Sequence, residues 1–423
     1  MGQAVHEAIA ATWRLESAKV VATVARMVRD VATAEDLAQE VLLTALERWP
    51  RDGLPDKPGA WLTAAAKNRA LDHLRREQLL ARKHEEIGHD QDAREALIVP
   101  DFTDALDAAR QDTIGDDLLR LMFTACHPVL PTEARVALTL KLLAGLSTQE
   151  IARAFLVPEA TLAQRIVRAK QKLRDAKVPF EAPQGEDLQR RLASVLEVVY
   201  LVFNEGYTAT SGEDWMRPAL VDEALRLARM LAELAPLEPE VHGLAALLEL
   251  QASRMKARTD AAGRPVLLLD QDRRRWDQLL VRRGLNALAR AQALSPQGGP
   301  YTLQAAIAAC HARAATAGDT DWGAIASLYA RLAEVAPSPV VELNRAVAVG
   351  MAEGPAAGLA IVDRLQDNPA LRGYQWLPSV RGDLLAKLGR KGEARAAFLA
   401  AADLAGNARE RDLLLERAGS LEG

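Results

Sequence analysis

The chain has 423 residues, 49% of them hydrophobic and 26% charged, with a formal net charge of −4. Such a chain holds two to four soluble domains, and its balance excludes a protein that coats nucleic acid indiscriminately. Any DNA-facing surface must be local and offset by acid elsewhere.

Only 4% of the residues are aromatic. Alanine, leucine, arginine and glutamate dominate and β-branched runs are short, so an all-α fold is expected. The two cysteines, Cys126 and Cys310, form no C-x-x-C pair, and neither a disulfide framework nor a zinc site is indicated. The start MGQAVHEAIAATWRLESAKV has no apolar signal core, and no apolar run approaches the length of a membrane span. A cytoplasmic protein with no membrane partner is expected.

Residues 10–50 read as two or three amphipathic helices. In AEDLAQEVLLTALERW, Leu37, Val41, Ala45 and Trp49 form one stripe at four-residue spacing, leaving Asp36, Gln39 and Glu40 outside it. RDGLPDKPG, with two prolines and two glycines in nine residues, is a loop. The helix that follows holds six basic residues between 67 and 83 (Lys67, Arg69, Arg75, Arg76, Arg82, Lys83) against Asp72 and Glu77. Residues 84–117 reverse the balance, with eleven acidic residues and two arginines, and read as a linker.

Helical periodicity returns near residue 113. In LSTQEIARAFLVPEATLAQRIVRAKQKLR (146–174), Ser147 and Glu150 form a capping box, so a helix starts at Thr148. Pro158 suits the first turn of the next helix, whose inner face is Leu162, Ile166 and Leu173. Between 159 and 177 that helix carries six basic and two acidic residues. Two crossed helices with a basic second member make a helix-turn-helix, which is favoured over a merely solvated basic helix.

After PFEAPQGED a longer region repeats. Gly382, Gly389, Ala394, Phe398 and Ala401 fit the spacing of a tetratricopeptide hairpin, and Gly354 and Leu359 precede Gly389 and Ala394 by 35 residues. Tyr329 and Pro337 fit another copy, and Pro236 and Pro296 close helices rich in alanine and leucine. Degenerate repeats are favoured over a generic bundle. YLVFNEGYTATSGEDWMRP, placed between helices, reads as a seam between domains, or else as a small-ligand or polymerase contact. LLLDQDRRRWD (267–277) reads as a solvated or interdomain excursion. Cys126 beside His127 reads as a buried thiol at a helix end, and Cys310 and His311 as packing residues.

Four stretches taken in order resemble the extracytoplasmic-function sigma factors, in the subgroup with a tetratricopeptide-like C-terminal extension. They are DLAQEVLLTALERW, WLTAAAKNRALDHLRR, the helix-turn-helix quoted above, and YLVFNEGYTAT. The resemblance implies a region 2 domain over 1–83, an acidic linker over 84–112, a region 4 domain over 113–180 and a repeat regulatory domain over 186–423. It implies core RNA polymerase as a partner, through the β′ clamp helices and the β flap, with Asp36, Gln39 and Glu40 meeting the clamp. Promoter DNA is the second partner. Trp61, Lys67, Asn68, Arg69, Arg75 and Arg76 would meet the −10 single strand, although Trp61 is more often a core residue. Asp72 would hold Arg69 or Arg76. At the −35 duplex, Arg165 and Arg168 would reach bases, while Thr161, Lys170 and Lys172 would reach phosphates. Gln164 also belongs to this surface.

Leu156 stands where the family has a turn glycine, and Ala163 and Gln164 replace a common Lys-Ser pair, which puts the promoter sequence in doubt. A protein or small-molecule signal at the repeat domain is implied. No phosphate loop, metal-ligand pair or nucleophile with its base is present, so no enzyme, cofactor or metal is expected. The alternative is a repeat-containing helix-turn-helix activator, which would have no use for the AWLTAAAKNRALDHLRR helix.

Overall fold

The computed structural model describes residues 2–87, 114–155, 157–183, 185–208, 216–260 and 264–421. Among these, regular structure is helical throughout, apart from one isolated antiparallel bridge between Thr259 and Pro265. Two compact units divide the chain, Met1–Val198 and Val199–Gly423.

The first unit starts with two helices where the sequence allowed two or three: α1 (Gly2–Val28) and α2 (Val31–Asp52). Asp30 caps α2, its carboxylate accepting from the Thr33 amide at 2.7 Å. The expected stripe Leu37, Val41, Ala45 and Trp49 is buried against α1, while Asp36, Gln39 and Glu40 stay exposed. After a short loop α3 (Pro58–Ile87) begins on a proline, where its missing N–H costs nothing. Leu62, Ala66 and Ala70 form its buried face, and the two alanines permit a close crossing. Trp61 packs edge-on against Trp49 at 5.3 Å, a pair worth about 0.5–1.5 kcal/mol beyond its burial. Packing is thus one job of this half-buried ring. Of the acidic stretch 84–117 expected as a linker, residues 84–87 are the end of α3 and 114–117 open the next helix, while 88–113 lie outside the described residues.

Four further helices follow: α4 (Ile114–Ala125), α5 (Thr132–Leu142), α6 (Thr148–Ala154) and α7 (Glu159–Asp175). The capping box is formed, with Ser147 accepting from the Glu150 amide at 3.1 Å and Glu150 from the Ser147 amide at 2.8 Å. Leu162, Ile166 and Leu173 are buried as expected, joined by Ala169. Leu156, where the glycine is missing, lies outside the described residues. Cys126 is buried, its sulfur 3.2 Å from the Thr139 hydroxyl, and burial pushes the thiol up to about 12.

The sequence set the next boundary at PFEAPQGED; the packing sets it later, inside α8 (Gly185–Tyr207). The first half of α8 is fastened to α4 and α5. Arg135 hydrogen-bonds Ser194, Glu197 at 3.0 Å and Thr132 at 2.8 Å, while Arg191 donates to the Phe123 carbonyl at 3.1 Å.

YLVFNEGY is therefore not an interhelical segment but the last turns of α8, which belong to the second unit. Gly206 lets α9 (Pro218–Leu234) cross there, since a Cβ would stand 2.7 Å from the Val221 nitrogen. The helices α10 (Pro239–Ala252), α11 (Gln278–Leu294), α12 (Pro300–Arg313), α13 (Trp322–Val335), α14 (Pro339–Ala352) and α15 (Pro355–Leu365) each pack on their chain neighbours. The hairpin of α16 (Trp376–Lys387) and α17 (Lys391–Leu404), followed by α18 (Ala408–Gly419), completes the unit. Gly389 turns that hairpin at φ 75°, and Ala394, Phe398 and Ala401 are buried in it, as the repeat spacing expects. The LLLDQDRRRWD excursion is not a solvated surface throughout. It forms two 3-10 turns that bury Arg273 and Trp276, with Arg273 donating to the His311 and Ala314 carbonyls at 2.5 and 2.7 Å.

Candidate nucleic-acid interface

The period of α7 sorts its polar residues. With Leu162, Ile166, Ala169 and Leu173 buried, Thr161, Arg165, Arg168 and Lys172, spaced four, three and four apart, lie on one outward stripe. Gln164 is exposed beside them. None of these five is ion-paired among the described residues, and all but the half-buried Arg165 are exposed, so a donor-rich face is turned outward.

Lys170 and Arg174 are different. They flank the buried face and turn toward α2. Lys170 pairs with Glu35 and lies 3.6 Å from Asp36. Arg174 grips Asp30 with two bonds, at 2.9 and 3.2 Å. Partial burial would raise the Asp30 carboxyl, but the bonds from Arg174 and Thr33 prevail and hold it down at about 2. Glu35 is buried and is also met by Lys141 at 3.8 Å and by the Gln39 amide at 2.7 Å. Around this centre Arg14 meets Glu150 at 3.3 Å, and Arg26 meets the buried Asp117 at 3.2 Å. The helix-turn-helix and the first three helices are thus latched by at least four ion-paired contacts.

On α3, Asn68, Arg69, Arg75 and Arg76 are exposed and Lys67 is half-buried. Arg69 lies 3.8 Å from Glu40, linking that face to the α2 patch. Asp72 stands 3.6 Å from Arg75, so its neighbour is not the expected Arg69 or Arg76.

Sequence reasoning missed Asp30, Glu35, Lys141 and Arg174. Asp30 carried a local signal as a helix cap. Glu35 carried none, because its lysine partners are more than a hundred residues away in the chain.

Comparison with known proteins agrees with this layout. Residues 13–79 match the family described as Sigma-70 region 2, and residues 120–173 match Sigma-70, region 4. The chain is 31% identical over 144 residues to the ECF RNA polymerase sigma factor SigC of Mycobacterium tuberculosis (strain CDC 1551 / Oshkosh), covering 34% of this chain and 70% of that one. The chain belongs to the ECF sigma factor family.

A second relative is the probable ECF RNA polymerase sigma factor SigI of M. tuberculosis (strain ATCC 25618 / H37Rv), 28% identical over 191 residues, spanning 45% of this chain and 61% of that one. The likeness extends nearly end to end with the uncharacterized protein R00370 of Rhizobium meliloti (strain 1021), 47% identical over 386 residues, 91% of this chain and 89% of that one. Residues 191–292 of the sigma factor match a family of unknown function, DUF6596. A sigma factor acts with core RNA polymerase on promoter DNA. The match over 13–79 sets aside the activator alternative, which has no place for a region 2. Among the described residues, no helix is long and apolar enough to cross a membrane.

Proposed function

We propose that this sigma factor contacts its partners through three separate faces of its first unit and takes instruction from the second. Thr161, Gln164, Arg165, Arg168 and Lys172 meet the −35 duplex, with Arg165 and Arg168 reaching base edges and the others the backbone. Lys67, Asn68, Arg69, Arg75 and Arg76 meet the −10 single strand, where a cationic groove and an unstacked base are the requirements. Asp36, Gln39 and Glu40 meet the β′ clamp helices, and the region 4 domain meets the β flap. The protein works in the cytoplasm as a specificity subunit, without chemistry of its own, and its C-terminal region is regulatory.

The observation that carries this reading is the outward basic stripe of α7, which points away from the acids of α2. The latch adds a mechanism. Lys170 and Arg174 are held by Glu35, Asp36 and Asp30, immediately beside the acids assigned to polymerase. A basic polymerase surface competes with Lys170 for Asp36, so binding core and releasing the recognition helix become one population shift. Lys170 joins the phosphate contacts only after that release.

Run-off transcription with purified bacterial core polymerase on a promoter library tests the reading. Initiation from a shared −35/−10 pair, only when this protein is present, is the expected result. Absence of polymerase-dependent initiation by the full chain would overturn it.

A further inference from the structure

The second unit contains a cavity of about 340 Å³ that no function assigned so far uses. Its size falls at the small end of the range for small-molecule sites, about 300–1,000 Å³. Three helices build it in the same way. Tyr200, Phe203, Asn204 and Tyr207 of α8, Leu247, Leu250 and Gln251 of α10 with Arg254 just beyond it, and Gln304, Ile307, Ala308 and His311 of α12 recur at helical spacing on one wall each. YLVFNEGY, the stretch that the promoter-directed function left unexplained, is therefore one wall of a cavity. Leu268, from the LLLDQDRRRWD excursion, supplies part of another.

The lining has an unbalanced chemistry. Arg254 lies in it, and no carboxylate does among the described residues. Its guanidinium is held in a fixed pose. One terminal nitrogen donates to the Tyr207 hydroxyl at 2.6 Å and to the Gln251 side chain, and the group sits 5.8 and 5.9 Å from the rings of Tyr207 and Trp276. That single nitrogen makes both bonds, so the remaining N–H donors of the fork stay available. Tyr207 is itself fixed, stacked on Phe203 at 5.3 Å and covered by Arg258 at 3.6 Å. The local field is positive: burial and the charges of Arg254 and Arg273 hold His311 down at about 4, so it is neutral at pH 7. The Asn204 carboxamide, also on the lining, makes no hydrogen bond among the described residues.

A cation in a partly desolvated cavity whose described lining holds no carboxylate is costly unless an anion joins it. A preset guanidinium fork matches a carboxylate in two-point geometry. The walls beside it are Tyr200, Phe203 and Tyr329, which suit a flat apolar body.

We propose that this cavity binds a small aromatic carboxylate, its carboxylate on Arg254 and its ring between the aromatic walls. The site gives a chemical class to the signal of the regulatory region. Its effect on transcription rests on the sigma-factor reading above; the binding itself does not.

Calorimetry on the full-length protein, without polymerase or DNA, tests the proposal with 4-hydroxybenzoate and its neutral isostere 4-hydroxybenzamide as probes. The carboxylate should saturate the protein and bind about tenfold or more tighter than the amide, the gain of a charge-assisted bond. Arg254→Gln should bring the carboxylate down to the affinity of the amide. Ala308→Phe, which fills the cavity and leaves Arg254 in place, should abolish binding of both, and its circular dichroism checks that the unit still folds. Equal affinity for the two probes, carboxylate binding that survives either variant, or no saturation up to about 10 mM would overturn the proposal. Any of these results with promoter-specific run-off transcription intact would overturn the site alone and leave the sigma reading standing.

Discussion

Replacing Asp30 by asparagine separates two jobs that one carboxylate performs. Asparagine caps a helix as well as aspartate does, so the bond to the Thr33 amide survives. The charge that grips Arg174 does not. The carboxyl is held down from 3.8 to about 2, which corresponds to about 2 kcal/mol for its native partners net of the burial that opposes them. Part of that belongs to Thr33, and the Arg174 side chain is half exposed, so solvent screening brings the pair to about 1 kcal/mol, even with two-point geometry. Asp30→Asn should then shift the latched arrangement toward the open one about fivefold. Fluorescence anisotropy of the free protein on a −35 duplex, at low ionic strength and without polymerase, reads that shift as tighter binding by up to the same factor. Arg174→Ala in the Asp30→Asn background should add nothing further to opening, and raising salt toward 1 M should shrink the difference because the pair is screened. DNA affinity unchanged or weakened by Asp30→Asn would refute the idea that these ion pairs withhold Lys170 and Arg174 from DNA.

The acid side of the same pair has a definite sign. The native carboxyl is below its ordinary value, so its contribution is fully present above pH about 3.8 and is lost as the pH falls toward 2; acid titration followed by the latch should show that step in the wild type and lose it in Asp30→Asn. Arg168→Ala should cost about 1–3 kcal/mol at one base pair of the −35 element, read by binding to single-base variants, whereas a phosphate contact would weaken all variants evenly. In the second unit, Gly358→Ala should destabilise by about 1–3 kcal/mol in urea unfolding, although alanine is the better helix former. A Cβ there would stand 2.6 Å from the Ala346 carbonyl and 2.8 Å from the Gly350 Cα, backbone atoms that cannot swing aside. Cys126, buried and with its thiol pushed up to about 12, should resist iodoacetamide at pH 8 until the protein unfolds, while the half-buried Cys310 reacts first; mass spectrometry of the labelled peptides decides it.

Local chemistry explains what could be read in advance. Alternation at three and four residues gave α2 its buried stripe, the S-x-x-E box started α6 at Thr148, and prolines and glycines marked the breaks at 53–57 and 389. Each signal lies within a few residues of what it determines. The family motifs are equally local, so the two helices proposed to face the promoter, and the exposed basic residues on them, were legible as well.

The sequence left three features open, and each depends on residues distant in the chain. Lys170 belonged to a run of six basic residues that look alike, and only the packing of α7 on α2 turned it and Arg174 toward acid while Arg168 stayed outward. The end of the first unit fell inside a continuous helix, which no glycine or proline could mark, because Arg135 and Arg191 tie the early turns of α8 to α4 and α5. YLVFNEGY gained its meaning only when α10 and α12 closed a cavity around it and brought Arg254 opposite its aromatic rings. Composition, period and caps determined which residues form helices and which side of each helix is oily. Which charges meet was decided only when the helices packed, since a charge chooses its partner by distance in space.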